Sequence, residues 1–326
     1  MKNTISVIIP TYNRSKTLAT TIRSLISQSF NKENYEILVI DNDSSDDTKE
    51  VVEKIVEENK NGPEIRYVFE GRAGVHFARN RGAKEAKNEI LYFTDDDMEA
   101  DRNVLEELIK VFHTNDKIGT ATGLVLPKFD VAPPAWVLKH CLNSILSVNV
   151  EKKDSGMIVA KESFGVFNCH QAVDKEVFFK TSGVHPENTK GLWIGDGDTG
   201  LNQDIKNLGF LFAFTPKSIT YHCIPKERAT QKYVNKRMFN QGYCDSFTQY
   251  RLHRSLVTTF FQTIEQILRI PYFFIKTIFL FIIFNSKWHL TLGQIFYSYA
   301  RIKYNFILFF DPKIRAINTQ ETWLET

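Results

Sequence analysis

The chain has 326 residues, 43% hydrophobic and 24% charged, an ordinary globular composition for about two domains that excludes a mainly disordered protein. Its four cysteines (Cys141, Cys169, Cys223, Cys244) stand far apart with no C-x-x-C pair, so neither a disulfide framework nor a zinc knuckle is encoded and a reducing compartment is expected. The net charge of +3 conceals a segregation: residues 1–216 carry 26 basic and 32 acidic side chains, and residues 217–326 carry 15 basic and 6 acidic ones.

The opening MKNTISVIIPTYNR enters a β-like segment without the apolar stretch and small-residue cleavage site of a signal peptide, so secretion by that route is not expected. From there, short β-branched runs alternate with helical patterns. SVIIP (6–10) precedes a helix near 15–28, YEILVID (35–41) a helix near 46–60, EIRYVF (64–69) a helix near 75–87, and EILYFTD (89–95) a helix near 102–114. A βαβα series of this kind predicts an α/β fold, a mostly parallel sheet flanked by helices, with the ligand crevice at the carboxyl ends of the strands. Residues 118–190 contain extended runs around 119–126 and 163–170 and a Pro133-Pro134 corner, and they give no topology.

Beyond Arg251, apolar residues at 256, 257, 260, 261, 264, 267 and 268 follow the helical period, and Pro271 is expected to end that helix. YFFIKTIFLFIIF (272–284) is too short, at ~1.5 Å per residue, to cross a ~30 Å hydrocarbon core, and Lys276 interrupts it. A third periodic stretch runs through 292–310. Eleven of the 26 phenylalanines fall between Phe260 and Phe310. Basic and apolar character together predict an amphipathic helical region over 251–326 that lies on a membrane surface through 251–310, and they do not suggest nucleic acid.

Three acid-rich segments are read as strand ends. Asp41–Asp47 (DNDSSDD) resembles a calcium loop, but Asp46 and Val52 stand where an EF-hand needs Gly and Glu, so calcium is excluded. A turn with Ser44 or Ser45 capping the next helix explains the serines, and Asp41 at the strand tip is placed to accept hydrogen bonds from a base or ribose. Three adjacent carboxylates at Asp95, Asp96 and Asp97 repel one another in a crevice unless a cation compensates them, and hard oxygen ligands point to Mg or Mn beside a diphosphate. The simpler reading is a solvated helix N-terminus. Gly195–Gly200 (GDGDTG) matches G-x-G-x-x-G, yet Asp196 and Asp198 would repel a pyrophosphate, and they suit a general base. No P-loop occurs, so dehydrogenase and P-loop readings both fall.

SVIIPTYNR, VIDNDSSDDT, GRAGVHFARNRGAKEAKNEILYFTDDD, GDGDTGL and YHCIPKERAT occur in this order over about the first 240 residues. With these segments the chain resembles the inverting family-2 glycosyltransferases of the GT-A fold. The resemblance implies a catalytic domain over 1–250. It also implies that Pro10, Thr11, Tyr12, Asn13, Arg14 and Asp41 line a nucleoside pocket, that Arg79 or Arg72 holds the nucleotide sugar, and that Asp95, Asp96 and Asp97 bracket ribose and metal. His222 resembles the late histidine that joins the metal or diphosphate, the alternative being a buried strand histidine. Asp198 matches the family's base. Gly197 departs from the family's glutamate at that position and Gly200 from a second acid, and Asp196 is the candidate substitute.

The resulting expectation is transfer of a sugar from a nucleotide-sugar donor to a hydroxyl of a glycan or lipid-linked acceptor, with Asp198 as base, a divalent cation at Asp97 and no other cofactor. The place would be the cytoplasmic face of the cell membrane. Two competing readings are a nucleotidyltransferase and a non-catalytic membrane-bound module that binds a nucleotide sugar.

Overall fold

A computed structural model describes residues 2–143, 145–187 and 195–324. In chain order the elements are β1 (Ile5–Thr11), α1 (Ser15–Ile26), β2 (Tyr35–Asp41), α2 (Thr48–Glu58), β3 (Glu64–Phe69), α3 (Val75–Glu85), β4 (Ile90–Thr94), β5 (Met98–Ala100), α4 (Val104–Phe112) and β6 (Ile118–Phe129). They continue with α5 (Ala135–His140), β7 (Ile158–Ala160), β8 (His170–Asp174), α6 (Lys175–Phe178), α7 (Gly197–Asn207), β9 (Leu211–Ile224), α8 (Gln231–His253), α9 (Leu256–Ile282), α10 (Trp288–Phe310) and α11 (Pro312–Asn318).

One sheet runs in the order β3-β2-β1-β4-β8-β6-β9-β5, and β7 also pairs with β9. The β3-β2-β1-β4 half and the long β6/β9 ladder are parallel, while β8, β5 and β7 pair antiparallel. Every residue of β1 and β2 is buried, which is why both read as continuous apolar runs and not as alternating ones. Side-chain alternation sends Val7 and Ile9 into one core with Leu18, Ile22 and Val52, and Ile8 into the other with Ala78, Ala83 and Phe178. Helices therefore cover both faces. The β1/β2 register sets Thr11 beside Asp41 and the β2/β3 register sets Asp41 beside Phe69, so the strand tips open into one crevice.

The expected extended run at 163–170 is irregular up to His170, where β8 begins. Pro271 does not end its helix: α9 continues through it to Ile282. The proline removes one helical hydrogen bond, but both halves of α9 are tied to α10, by Asn305–Thr263 (2.9 Å) and Ser298–Gln266 (3.1 Å) before it and Thr277–Thr291 (2.9 Å) after it. The expected boundary at residue 250 falls inside α8. Tyr243, Phe247 and Tyr250 of that helix pack with Ala300, Tyr304 and Leu308 of α10. The chain end then returns to the sheet domain, where Asn80 donates to the Trp323 carbonyl (3.1 Å) and the Trp323 N–H to the Ser182 carbonyl (2.8 Å).

Candidate active site

The end of β1 supplies one wall of the crevice. Pro10 is buried opposite Ile40, Tyr12 is exposed, and Asn13 takes a left-handed φ of 53°. Asn13 organises the acidic turn: its N–H donates to Ser44 Oγ (2.9 Å) and its Oδ1 accepts from the Ser45 N–H (2.7 Å). The serines are thus tied to Asn13 and do not cap α2, whose first residue Thr48 donates to Asp46. Asp41 accepts from the Ser44 N–H (2.9 Å) and the Tyr67 hydroxyl (2.6 Å). Arg72 is bound to Glu70 (2.7 Å) and lies over the Phe77 ring.

The three acids end in different surroundings. Asp95 is partly exposed and pairs with Arg79 (2.7 Å). Asp96 is buried and accepts from Thr11 Oγ1 (2.9 Å) and Arg14 Nη1 (2.8 Å). Burial, opposed by Arg14 and reinforced by Asp97 and Asp95, holds its carboxyl above the ordinary range. Asp97 accepts from Arg14 Nη1 and Arg228 Nη2, both at 2.9 Å, and its Oδ1 lies 3.8 Å from His222 Nε2. Burial would raise the Asp97 carboxyl, but His222, Arg228 and Arg14 outweigh it and hold it well below the ordinary range. The β5/β9 pairing brings His222 here by setting it opposite Met98.

His222 Nδ1 lies 2.8 Å from the Leu146 carbonyl, which turns the Nε2 edge of the ring toward Asp97 and Arg228 Nη1 (2.8 Å). An imidazole fixed in this way is what a metal-ligating histidine needs, and the Arg228 guanidinium bridging it to Asp97 marks a place that favours a cation. The donor set therefore fits Mg or Mn. Among the described residues no group of three or more His, Cys, Asp or Glu side chains is placed to hold a metal ion, so two protein ligands would leave the rest of the shell to phosphate oxygens and water.

Arg79, buried on α3, links the acids to the second half of the chain: one nitrogen binds Asp95 and another binds Glu187 Oε2 (3.0 Å). Glu187 stands beside α7, where a Cβ at Gly197 would come 3.0 Å from its carboxyl carbon. Asp198, in the first turn of α7, accepts the Asn168 N–H at 3.4 Å. Burial, then the Glu187 charge, push its carboxyl up to about 7, against the pull of Arg79. Asp196 is engaged by His185 Nδ1 (2.9 Å), Thr248 Oγ1 (3.0 Å) and Arg251 Nη2 (2.7 Å). His185 and Arg251 hold it below the ordinary range although burial opposes them. Gly200 has no room for an acid, since a Cβ there would come 2.1 Å from the His185 ring.

The structure thus gathers Thr11, Arg14, Arg79, Asp95, Asp96, Asp97 and His222 around one crevice, with Asp41 one strand away and Asp198 joined to it through Arg79 and Glu187. Arg72 and Asp196 are held by other partners. Glu187 and Arg228 were not foreseen. Arg228 lies within YHCIPKERAT, six residues after His222, whereas no pattern in the sequence marks Glu187.

The profile of the family described as glycosyl transferase family 2 matches residues 6–170, half of the chain. The chain belongs to that family. Asp198, Glu187, His222 and Arg228 lie beyond the matched residues. Among curated relatives, glycosyltransferase AglE of Haloferax volcanii is 33% identical over 122 residues, 37% of this chain and 38% of that protein. The GalNAc(5)-diNAcBac-PP-undecaprenol beta-1,3-glucosyltransferase of Campylobacter jejuni is 36% identical over 108 residues, 32% of this chain and 33% of that protein. The chain therefore matches over only about a third of these relatives' lengths. Mannosyltransferase PcManGT from Pyrobaculum calidifontis, solved with GDP-Man and Mn2+, superposes with a TM-score of 0.54 at 19% identity, covering 74% of this chain and 63% of that one. At that identity the likeness shows the fold, which is that of the GT-A family-2 glycosyltransferases.

Proposed function

We propose that the protein is an inverting glycosyltransferase that moves a sugar from a nucleotide sugar to a hydroxyl of a glycan or lipid-linked acceptor. The observation that carries this reading is the pairing of two unlike sites by Arg79: an arginine-flanked acid cluster at the strand ends, and a carboxyl near neutrality at Asp198. At the first, Thr11, Tyr12 and Asp41 line the nucleoside pocket, while Arg14 and Arg228 stand ready to neutralise a diphosphate. Asp97 and His222 would hold Mg or Mn, which supplies Lewis-acid neutralisation of the leaving diphosphate. At the second, Asp198 takes the proton of the attacking hydroxyl, a role suited to a group with a pKa near the working pH. Attack from the Asp198 side, opposite the leaving group, inverts the anomeric carbon. Asp196, with its oxygens already engaged, anchors α7 to α8. The Campylobacter relative, named for an undecaprenol-linked substrate, supports an acceptor of the lipid-linked class.

The same reading places the protein on the cytoplasmic face of a membrane. No helix among the described residues is long and apolar enough to cross one. On α9, however, Val257, Phe261, Leu268, Ile275, Phe279 and Ile282 are each more than half exposed, and Arg269 and Lys276 interrupt that surface. An apolar helix face with basic residues along it suits burial at the headgroup boundary, each basic residue adding roughly 1 kcal/mol near an anionic surface.

Two experiments test this. In a thermal-shift panel of UDP- and GDP-sugars with manganese, at least one should stabilise the protein, and Asp97→Ala should abolish the shift and turnover; full activity of Asp97→Ala or in excess chelator refutes the cation. In flotation with phosphatidylserine vesicles the protein should rise, and Phe261→Glu/Leu268→Glu should stay below; a wild-type protein that remains at the bottom refutes the membrane.

A further inference from the structure

A cavity of about 280 Å³ opens beside Asp198. Asp198 and Thr199 border it from α7, Gln241 and Asp245 from α8, and Tyr297 and Arg301 from α10. We propose that this cavity receives the acceptor's terminal residue as a neutral, hydroxyl-rich sugar ring, and that side chains of α8 and α10 select it. The proposal rests on the glycosyltransferase reading above. It gives the C-terminal helices a part in substrate choice, beyond any contact with lipid.

Position comes first. Glu187 also borders the cavity, and its carboxylate is bound by the same Arg79 that binds Asp95. A ring held here would bring a hydroxyl to Asp198, and none of Asp95, Asp96 and Asp97 lines the cavity, so acceptor and donor would reach the base from separate places. The volume lies near the lower end of the roughly 300–1,000 Å³ typical of small-molecule sites, which suits a sugar ring and not a second nucleotide.

Chemistry comes second. Sugar hydroxyls donate and accept, so they are met by carboxylates, amides and hydroxyls together, and the cavity offers all three besides the guanidiniums of Arg237 and Arg301. Three such groups are fixed in advance across two helices: Gln241 donates to Asp245 Oδ1 (2.8 Å) and the Tyr297 hydroxyl to Asp245 Oδ2 (2.5 Å). Behind Asp198, outside the cavity lining, both amide atoms of the buried Asn168 side chain have no hydrogen-bond partner among the described residues. The carboxyl groups of Glu187, Asp196, Asp198 and Asp245 outnumber the guanidiniums of Arg237 and Arg301 around the cavity, so the lining disfavours the added charge of a phosphorylated or uronic ring.

Saturation-transfer NMR on the full chain, in the presence of Mn2+ and UDP or GDP, tests this. The probes are the methyl glycosides of glucose, galactose, mannose, N-acetylglucosamine and N-acetylgalactosamine, with glucose 6-phosphate and methyl glucuronide as anionic counterparts. At least one neutral glycoside should give a saturable signal. Gln241→Trp, which fills the cavity from an exposed helix position, should remove that signal and leave nucleotide binding within about twofold of wild type. Asp245→Asn, which keeps the shape, should weaken it. A wild-type signal that persists in Gln241→Trp overturns the location. Binding of the anionic probes alone, or of no glycoside to a protein that binds nucleotide, overturns the ligand class. Failure of both nucleotides to bind refutes the glycosyltransferase reading instead, whatever the glycosides do.

Discussion

Replacing Asp198 by Asn should cost activity and relieve the fold, and the two effects can be measured separately. Burial and the neighbouring Glu187 hold the carboxyl at about 7 against an ordinary 3.8. Below the ordinary value the group is protonated in both folded and unfolded chains and contributes nothing. Between the two values the unfolded chain has released its proton while the folded one keeps it, so this group lowers stability as pH rises; above the folded value the cost is constant. The whole shift corresponds to about 4 kcal/mol, of which about 3 kcal/mol accrues between about pH 5 and 8. Asp198 keeps some solvent contact, and screening reduces the expected figure to about 1–2 kcal/mol. Urea unfolding of wild type and Asp198→Asn at those two pH values should therefore show the variant gaining about 1–2 kcal/mol relative to wild type at the higher pH. The variant's kcat should fall ~10²- to 10⁴-fold with donor affinity nearly intact. A stability difference that does not change with pH refutes the electrostatic account of this site, and turnover near the wild-type level refutes Asp198 as the base.

Glu187→Gln removes the charge that helps hold the Asp198 carboxyl up, so the acidic limb of kcat/KM should move to lower pH; an unmoved limb would leave Glu187 a partner of Arg79 only. Arg228→Gln frees Asp97 and His222 from a competing cation, so Mn2+ titrated without nucleotide and followed by electron paramagnetic resonance should bind more tightly than to wild type, while UDP or GDP binds more weakly; unchanged Mn2+ affinity would show that the guanidinium does not compete. Gly200→Ala drives a methyl group into the His185 ring and should destabilise the protein by about 1–3 kcal/mol in urea unfolding, whereas wild-type stability would show that the ring yields.

Much of this molecule follows from local sequence. YEILVID and EIRYVF coincide with β2 and β3 as observed: β2, buried along its whole length, is written as a mostly apolar run, and β3, partly exposed at the sheet edge, mixes Glu64 and Arg66 with β-branched and aromatic residues. The acid triplet follows the end of β4, as its sequence suggests, whereas GDGDTG, read as a strand end, opens α7 instead. Tertiary structure decided what those residues touch. That Asp196 is tied down by hydrogen bonds and an ion pair depends on Thr248 and Arg251, more than fifty residues downstream. That a carboxylate fills the space beside Gly197 depends on the loop carrying Glu187, and that Arg228 faces Asp97 depends on the antiparallel β5/β9 register. The helix through Pro271 exists because α10 holds both of its halves, a stabilisation that local propensity does not contain. Propensity and periodicity act over a few residues and therefore determined the strands and their acidic tips. Charge pairing and cavity shape arise between residues brought together from distant parts of the chain, and only the folded packing fixes them.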